Sequence, residues 1–150
     1  MNIIGPVAVG DVFLDIGCGI GNTAPKRCIG IEIRHELSQL GSQLIQRYSN
    51  VQPLLKDAKE TGLSVRQPYF DACIVYLNSF LFANDIKLFV LSELCTLPRA
   101  RIVVSTEKFC PRHRTPCRNA FCATWQLHQV TSGQVSWTIK PVSIYIYKRV

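Results

Sequence analysis

Residues 11–21, DVFLDIGCGIG, join a short apolar run directly to three closely spaced glycines. The run from Asp11 to Ile16 predicts a buried strand that the glycines end. Glycines after such a strand let backbone N–H groups approach a ligand closely, at the carboxyl ends of parallel strands. The stretch therefore predicts an α/β fold with a cofactor-binding loop after its first strand.

Two carboxylates around this loop indicate the class of cofactor. Asp15 immediately precedes the loop, and Glu32 closes the next apolar strand, which we expect from Cys28 to Ile33. A carboxylate at Glu32 can accept hydrogen bonds from both hydroxyls of a ribose. Asp15 would repel a phosphate and attract an amino group or a sulfonium, which favours S-adenosylmethionine over a dinucleotide. The alternative is a plain structural turn followed by a solvated glutamate.

Beyond the loop, predicted helices alternate with strands, and the C-terminal part then becomes all strand. Apolar residues at helical spacing predict helices at 34–48 and 83–97, the second ended by Pro98. Further strands are expected at 51–55, 70–76, 100–105, 121–130, 134–139 and 142–147, with residues 131–133 as a hairpin turn. This order predicts a mostly parallel sheet with an antiparallel edge.

Size and composition exclude several classes of protein. A chain of 150 residues, 47% hydrophobic and 18% charged, suits one packed domain and not a disordered chain. No apolar run is long enough to span a membrane. The seven cysteines lack a framework spacing and no basic stretch opens the chain. We therefore expect reduced thiols in an intracellular compartment. A collagen, a coiled coil, a membrane protein and a disulfide-stapled toxin are excluded.

Positive charge is concentrated in one segment of a chain whose net charge is +7. Residues 99–118 contain six basic residues against Glu107 alone: Arg99, Arg101, Lys108, Arg112, Arg114 and Arg118. Concentrated positive charge predicts a polyanionic partner, nucleic acid first. A solvated loop is the alternative interpretation.

Three further stretches identify a family. Residues 76–82 read YLNSFLF, residues 102–111 read IVVSTEKFCP, and residues 135–143 read VSWTIKPVS. With the glycine loop, they resemble the disruptor-of-telomeric-silencing family, non-SET methyltransferases that act on a lysine in the globular core of histone H3. The resemblance runs from Asp11 to Tyr147. It implies a Rossmann-like class I methyltransferase fold with a C-terminal antiparallel hairpin, and a single catalytic domain over residues 1–150.

The resemblance also implies a set of site residues. Glu32 would hold the ribose of S-adenosylmethionine, and Asp57 would accept from the adenine amino group. Asn78 would face the transferring methyl group and the substrate amine. The methionine and ribose side of the cofactor would be lined by Asp15, Gly17, Gly19, Gly21 and Asn22. The lysine channel would be walled by Phe80, Phe82, Trp137, Val142 and Ser143.

Partners follow from the same resemblance. The basic residues of segment 99–118 would contact nucleosomal DNA or an acidic histone patch, in the nucleus. We expect no metal, no covalent intermediate and no membrane partner, and the sequence does not indicate an oligomeric state. Two other functions remain open, a class I methyltransferase acting on nucleic acid or a small molecule, and a non-catalytic relative that binds nucleosomes. Asn78 could equally be a turn residue, and the aromatic residues ordinary core.

The sequence departs from the family at several positions. Ala58 stands where the family has a phenylalanine that stacks on adenine, and Ile144 where it has a tyrosine in the channel. Only Asn22 to Arg27 join the glycine loop to the second strand, so the first crossover helix is expected to be shortened or missing. We also expect the N-terminal lobe of the family to be absent. The isolated chain should then bind its cofactor weakly, expose apolar sheet surface and methylate nucleosomes slowly.

Four zinc-ligand residue types lie close together as Cys110-x2-His113-x3-Cys117-x4-Cys122. Tetrahedral zinc would close such a loop. However, the spacing matches no standard zinc module, and we expect Cys122 to begin a strand. The sequence therefore favours ordinary thiols in a basic loop over a zinc site. Cys18 is interpreted as a small loop residue and not as a nucleophile.

Overall fold

The computed structural model of the chain describes residues 4–19, 28–45, 51–111, 116–135 and 137–150. Within these ranges, the strands that form the sheet are β1 Phe13–Ile16, β2 Cys28–Glu32, β3 Val51–Leu55, β4 Ile74–Leu77, β5 Ile102–Ser105, β6 Trp125–Val135 and β7 Thr138–Arg149. The α-helices are α1 His35–Ile45, α2 Ala58–Thr61, α3 Asn84–Thr96 and α4 Ala120–Thr124. None of the helices in these ranges combines the length and apolarity that crossing a membrane requires.

The strands form one sheet in the order β3-β2-β1-β4-β5-β7-β6. The first five strands pair in parallel, whereas β7 pairs antiparallel with both β5 and β6. The predicted fold, a mostly parallel sheet with helices and a C-terminal antiparallel hairpin, is confirmed. From β1, the next strands β2 and β3 follow toward one edge of the sheet, whereas β4 lies on the other side of β1 and β5 follows it toward the opposite edge. In open α/β sheets such a reversal is where ligands bind, beyond the carboxyl ends of the strands.

The central strands are buried on both faces, which explains why they read as continuous apolar runs and not as alternating ones. Leu14, Ile16, Val75 and Leu77 have no exposed surface. Ile16 lies opposite Ile31 on one side and Leu77 on the other, so the carboxyl ends of β1, β2 and β4 are level. The residues that follow these three strands therefore meet at one edge of the sheet.

The predicted helices and early strands agree with the structure to within a few residues. The helix predicted at 34–48 is α1, observed as far as Ile45, and the one predicted at 83–97 is α3. Pro53 does not prevent β3 from forming because β3 is an edge strand, where a missing N–H is tolerated. The short first crossover, residues 22–27, lies outside the described residues.

The prediction for the C-terminal strands is wrong in two places. Residues 120–124 form α4 and not a strand, because the Asn119 side chain caps this helix by accepting from the Phe121 N–H at 2.9 Å. Residues 131–133 form no turn, since they pair with residues 142–144 in the middle of the hairpin. Two long strands thus replace the three short ones. Gly133 marks a register shift in β6, and glycine within a strand is typical of such an irregularity.

Candidate active site

The glycine loop is fixed to the strands on both sides of it. The N–H groups of Gly17 and Cys18 donate to the carbonyl of Ile31, at 2.8 and 3.1 Å, at the end of β2. The N–H of Asn78 donates to the carbonyl of Ile16 at 3.1 Å, which joins the end of β4 to the start of the loop. The loop, the end of β2 and the segment after β4 therefore form one rigid edge.

Gly17 is required at its position for two reasons. Its φ of +81° lies in the left-handed region that side chains disfavour. A Cβ atom there would lie 2.8 Å from the carbonyl oxygen of Asn78 and 3.2 Å from the ring of Phe82. Gly19 also has a positive φ, of +58°, but its Cβ would meet no atom within 4 Å. Of these two glycines, Gly17 is therefore the one whose backbone lies in close contact with the segment after β4.

Glu32 is buried and bonded through both carboxylate oxygens. Its Oε2 accepts from the Gly19 N–H at 2.8 Å and from Arg34 Nη2 at 3.2 Å. Its Oε1 accepts from the N–H and from Nε of Arg34, both at 2.9 Å. A carboxylate has about four lone-pair sites, so these four bonds use its acceptor capacity. Burial opposes ionisation of Glu32, yet the bonds from Arg34 and Gly19 outweigh it and lower the pKa of the carboxyl.

The negative charge of Asp15 raises the pKa values of neighbouring side chains. Burial, together with the charges of Asp15 and Glu32, raises the pKa of the Cys18 thiol to about 12. Burial and Asp15 likewise raise the pKa of Cys28 to about 12 and also raise that of Tyr76. Cys18 therefore remains a protonated thiol at neutral pH, which agrees with its interpretation as a small loop residue. A positively charged ligand group is favoured at this edge.

A cavity of about 890 Å³ lies beyond the carboxyl ends of β1, β2 and β4. Eight of the residues predicted from the sequence line it: Asp15, Gly17, Gly19, Glu32, Asn78, Phe80, Phe82 and Trp137. Ligand pockets of this size accept a cofactor with part of a substrate. The structure also adds lining residues that were not predicted as site residues, among them Arg34, Leu37, Tyr76, Leu81, Gln134 and Val135.

Other predicted site residues lie elsewhere. Asp57 lines an adjoining cavity of about 570 Å³ and caps α2, accepting from the Lys59 N–H at 2.9 Å. Ile33 lines both cavities, so the two are neighbours. Ser143 lies in the middle of the hairpin opposite Ser132 and does not line either cavity. Gly21 and Asn22 lie outside the described residues.

A polar network supports the segment that carries Asn78 and Phe80. Ser79 is buried, and its hydroxyl donates to Oε2 of Glu107, whose Oε1 accepts from Lys87 Nζ at 3.0 Å. Burial opposes ionisation of Glu107, but these bonds and the charge of Lys87 lower the pKa of its carboxyl. The network joins α3, the end of β4 and the end of β5. The sequence did not reveal it, because Glu107 was counted only as one acid among basic residues.

The basic residues of segment 99–118 are divided between the two ends of β5. Arg99 and Arg101 precede the strand, where they pair with Asp71 and Asp11 respectively. Lys108 and Arg118 follow the strand in sequence and are exposed. Arg112 and Arg114 lie outside the described residues. The described basic residues therefore differ in their surroundings, since the two before β5 are paired with acidic side chains and the two after it are exposed.

Comparison with known proteins connects this edge to a family. The model of the family described as "Histone methylation protein DOT1" matches residues 6–149. The chain belongs to the DOT1 family. Two DOT1-family relatives are each described as "Histone-lysine N-methyltransferase, H3 lysine-79 specific". The one from Dictyostelium discoideum is 24% identical over 89% of this chain and 8% of its own length. The one from Drosophila melanogaster is 25% identical over 91% of this chain and 9% of its own. The chain thus spans less than a tenth of the length of these curated relatives.

Solved structures show that this DOT1-family chain has the class I methyltransferase fold. The N-methyltransferase NodS from Bradyrhizobium japonicum WM9 superposes with a TM-score of 0.65 at 13% identity, covering 93% of this chain and 85% of that one. Magnesium protoporphyrin IX methyltransferase from Synechocystis PCC 6803, solved with bound SAM, gives a TM-score of 0.61 at 13% identity, with 94% and 71% covered. At this identity the likeness concerns the fold alone.

Proposed function

We propose that residues 1–150 form a single catalytic domain that transfers a methyl group from S-adenosylmethionine to a histone lysine. The target we propose is a lysine in the globular core of histone H3, presented on the nucleosome in the nucleus. The observation that supports this best is the cavity at the switch point of the sheet. It combines Asp15 and Glu32 on one side with Phe80 and Trp137 on the other.

The cofactor side of the cavity fits S-adenosylmethionine. No atom lies within 4 Å of the position that a Cβ would take at Gly19, so a ligand can approach the main chain closely there. Glu32 is ionised and offers two acceptor oxygens, as a ribose diol requires. Asp15 would attract the amino group or sulfonium of the cofactor. Gly19 would line the same end, and Asp57, in the adjoining cavity, would be reached by the adenine.

Arg34 now holds the acceptor positions on Glu32 that ribose hydroxyls would need. Its side chain is 48% exposed, so the guanidinium can move into solvent and release them. The Gly19 N–H bond to Glu32 need not change. We therefore propose that cofactor binding exchanges the Arg34 guanidinium for the ribose diol.

The substrate side of the cavity would select and align a neutral amine. S-adenosylmethionine, when bound, supplies a methyl group that a neutral amine can accept by direct displacement. The apolar walls of Phe80, Phe82 and Trp137 would exclude water and favour the uncharged form of a lysine amine by desolvation. Asn78 would orient the amine through its side-chain amide. Such alignment contributes up to about 7–11 kcal/mol of barrier lowering.

Exposure of the apolar wall favours a macromolecular substrate over a small molecule. Phe80 and Leu81 line the cavity and are 68% and 74% exposed, and Trp137 is 49% exposed. Exposed apolar patches next to a cavity are typical of interaction sites. A folded substrate that inserts one lysine would cover this rim. Lys108 and Arg118, which are exposed, would contact the phosphates of nucleosomal DNA.

One comparison of substrates tests the proposal. The chain is incubated with radiolabelled S-adenosylmethionine and, in parallel, with intact nucleosomes, free histone octamers and naked DNA. We expect label on histone H3 and the highest rate with nucleosomes. Label on DNA alone would replace the proposal with a nucleic-acid methyltransferase. Nucleosome binding without label on any substrate would indicate a non-catalytic relative.

Cofactor affinity tests the role of Glu32 separately. Glu32→Ala removes a charged acceptor worth about 1.5–3 kcal/mol, so affinity measured by calorimetry should fall roughly 10- to 150-fold. Glu36→Ala, on the exposed start of α1, is the matched control and should leave affinity unchanged. A thermal melt of both variants shows whether they fold. Equal affinities in two folded variants would remove Glu32 from the cofactor site.

A further inference from the structure

Three cysteines converge in the connection between β5 and β6, outside the cavity. Cys110 follows β5, Cys117 lies seven residues later, and Cys122 lies in α4. Their sulfur atoms all lie within 4.8 Å of one another, and those of Cys110 and Cys117 are 3.8 Å apart. All three side chains are partly buried. Three cysteines spread over twelve positions of the sequence thus place their sulfur atoms, which are soft metal ligands, around one point.

The spacing of these sulfur atoms suits a tetrahedral metal ion. Zinc binds thiolate sulfur at about 2.3 Å, so two sulfurs of a tetrahedral site lie about 3.8 Å apart. The Cys110–Cys117 distance equals this value. A disulfide requires about 2.05 Å between the sulfur atoms, and its two partners would leave the third cysteine aside. Three sulfurs that all lie within 4.8 Å of one another are better explained by coordination than by a pairwise bond.

An aromatic cluster holds two of the three ligands in place. Cys110 follows Phe109 and Cys122 follows Phe121, and the two phenylalanine rings pack edge to face at 5.0 Å. Tyr147 of β7 contacts both rings, and its hydroxyl accepts from the Phe109 N–H at 3.1 Å. The backbone on both sides of the cluster is therefore fixed before any ion binds. Such preorganisation lowers the cost of assembling a metal site.

We propose that Cys110, Cys117 and Cys122 bind a structural Zn²⁺ ion. Thiolates select zinc among the common divalent ions, because they are soft ligands and zinc accepts tetrahedral geometry. Three thiolates on one Zn²⁺ leave a net charge of −1, which the flanking basic residues Lys108 and Arg118 compensate. The fourth position is filled by water or by another side chain. His113 lies in the intervening sequence but outside the described residues, so the proposal rests on the three cysteines.

One of the two sequence-based reasons against a zinc site does not hold in the structure. Cys122 was expected to begin a strand, whereas it lies in the first half of the helix α4. The helix directs its side chain to the same point as the two cysteines of the preceding loop. A zinc ion here would close the loop that carries the basic residues Lys108 and Arg118. It would thereby tie the end of β5 to the helix that precedes β6.

Metal analysis of the purified chain tests the proposal. The chain is expressed with zinc, purified under reducing conditions and analysed by mass spectrometry for metal per chain. We expect about one zinc ion per chain, as for other zinc sites with cysteine ligands. The triple variant Cys110→Ser/Cys117→Ser/Cys122→Ser should retain less than about a tenth of it. Cys95→Ser, in α3, is the matched control and should keep the full amount. Equal zinc in the triple variant and the control would overturn the proposal.

A second experiment measures how far zinc protects the cysteines of the unmodified chain from alkylation. Its result does not depend on whether the triple variant folds. Alkylation with iodoacetamide is followed residue by residue with mass spectrometry, first with Zn²⁺ present and then after a strong chelator. Zinc should slow modification of Cys110, Cys117 and Cys122 at least tenfold, with no change at Cys95. Cobalt substitution should give a thiolate-to-cobalt absorption band. A reduced chain whose cysteines react equally in both conditions, or that forms a Cys110–Cys117 disulfide in place of binding zinc, contradicts the proposal.

Discussion

Alanine at Gly17 should damage the site much more than alanine at Gly19, although both glycines have positive φ. A left-handed residue with a side chain costs about 1–2 kcal/mol, and both variants carry this cost. Only at Gly17 does the new Cβ collide, 2.8 Å from the carbonyl oxygen of Asn78 and 3.2 Å from the Phe82 ring. Overpacking of this kind adds about 1–3 kcal/mol. The unfolding free energy should therefore fall by about 2–5 kcal/mol in Gly17→Ala and by about 1–2 kcal/mol in Gly19→Ala.

The collision also has a functional consequence. Relief requires the loop and the segment after β4 to separate, which moves Asn78 away from the cofactor end of the cavity. A displacement of about 1 Å can reduce turnover about 100-fold. Gly17→Ala should therefore lose more activity than its cofactor affinity explains. Gly19→Ala should lose activity only in proportion to affinity.

Urea denaturation, calorimetry with S-adenosylmethionine and single-turnover methylation of nucleosomes on both variants provide the three measurements. Urea midpoints give the unfolding free energies, provided that the slopes of the two transitions agree. The reasoning fails if Gly17→Ala is no less stable than Gly19→Ala. It also fails if the Gly17 variant keeps wild-type turnover, since the close contact with Asn78 would then have no role in alignment.

Three further outcomes are expected. Arg34→Ala should tighten cofactor binding by calorimetry, because it frees acceptors on Glu32 from an ion pair whose arginine is half exposed; the value for exposed pairs, about 0.2–1 kcal/mol, sets a lower bound of about 1.5- to 5-fold. Weaker binding would mean that Arg34 contacts the cofactor itself. The pKa of Glu107 is lowered on folding, so its contribution to stability should be complete above pH 4.5 and lost as the pH falls below that value. The difference in unfolding free energy between wild type and Glu107→Gln, measured across pH, should shrink in that direction and would be flat if the network were absent. Reversing Lys108 and Arg118 to glutamate should reduce the salt dependence of nucleosome binding by about 1.8 in the log–log slope, whereas reversing the two arginines at the amino end of β5 should leave it unchanged; equal effects would contradict the division of the basic segment.

Local patterns were sufficient to predict the parallel half of the sheet. Its three strands around the site, β1, β2 and β4, are short apolar runs that end next to Gly17, at Glu32 and next to Asn78, and they pair in parallel. The same patterns brought Asp15, Glu32 and Asn78 to one edge, because the carboxyl ends of such strands are level. The edge that holds Asp15 and Glu32 was therefore predictable from chain order, whereas the role of Asn78 was implied by the family resemblance.

The rest of the site depends on contacts between residues distant in sequence. The register of β6 on β7 decides that Val135 and Trp137 reach the cavity while Ser143 does not, and no local pattern encodes that register. The cap at Asn119 converts an apolar stretch that suits a strand into a helix. A count of charges along the sequence also does not show how far apart the basic residues lie in space. The strand β5, of four residues, separates Arg101 from Lys108.

The hairpin of β6 and β7 extends well past the strand on which it rests. Within β7, Tyr145 to Lys148 pair with β5, whereas the described pairings of residues 138–144 are with β6 and not with β5. Gln134, Val135 and Trp137, which form one wall of the cavity, stand on this free part of the hairpin. The residues proposed to contact the cofactor lie instead at the carboxyl ends of the parallel strands or in the segments that directly follow them. Insertions, deletions or substitutions in the hairpin can thus alter which substrate is accepted while leaving the methyl-donor end untouched. The part of the fold that would select the substrate is thus separate from the part that would bind the methyl donor.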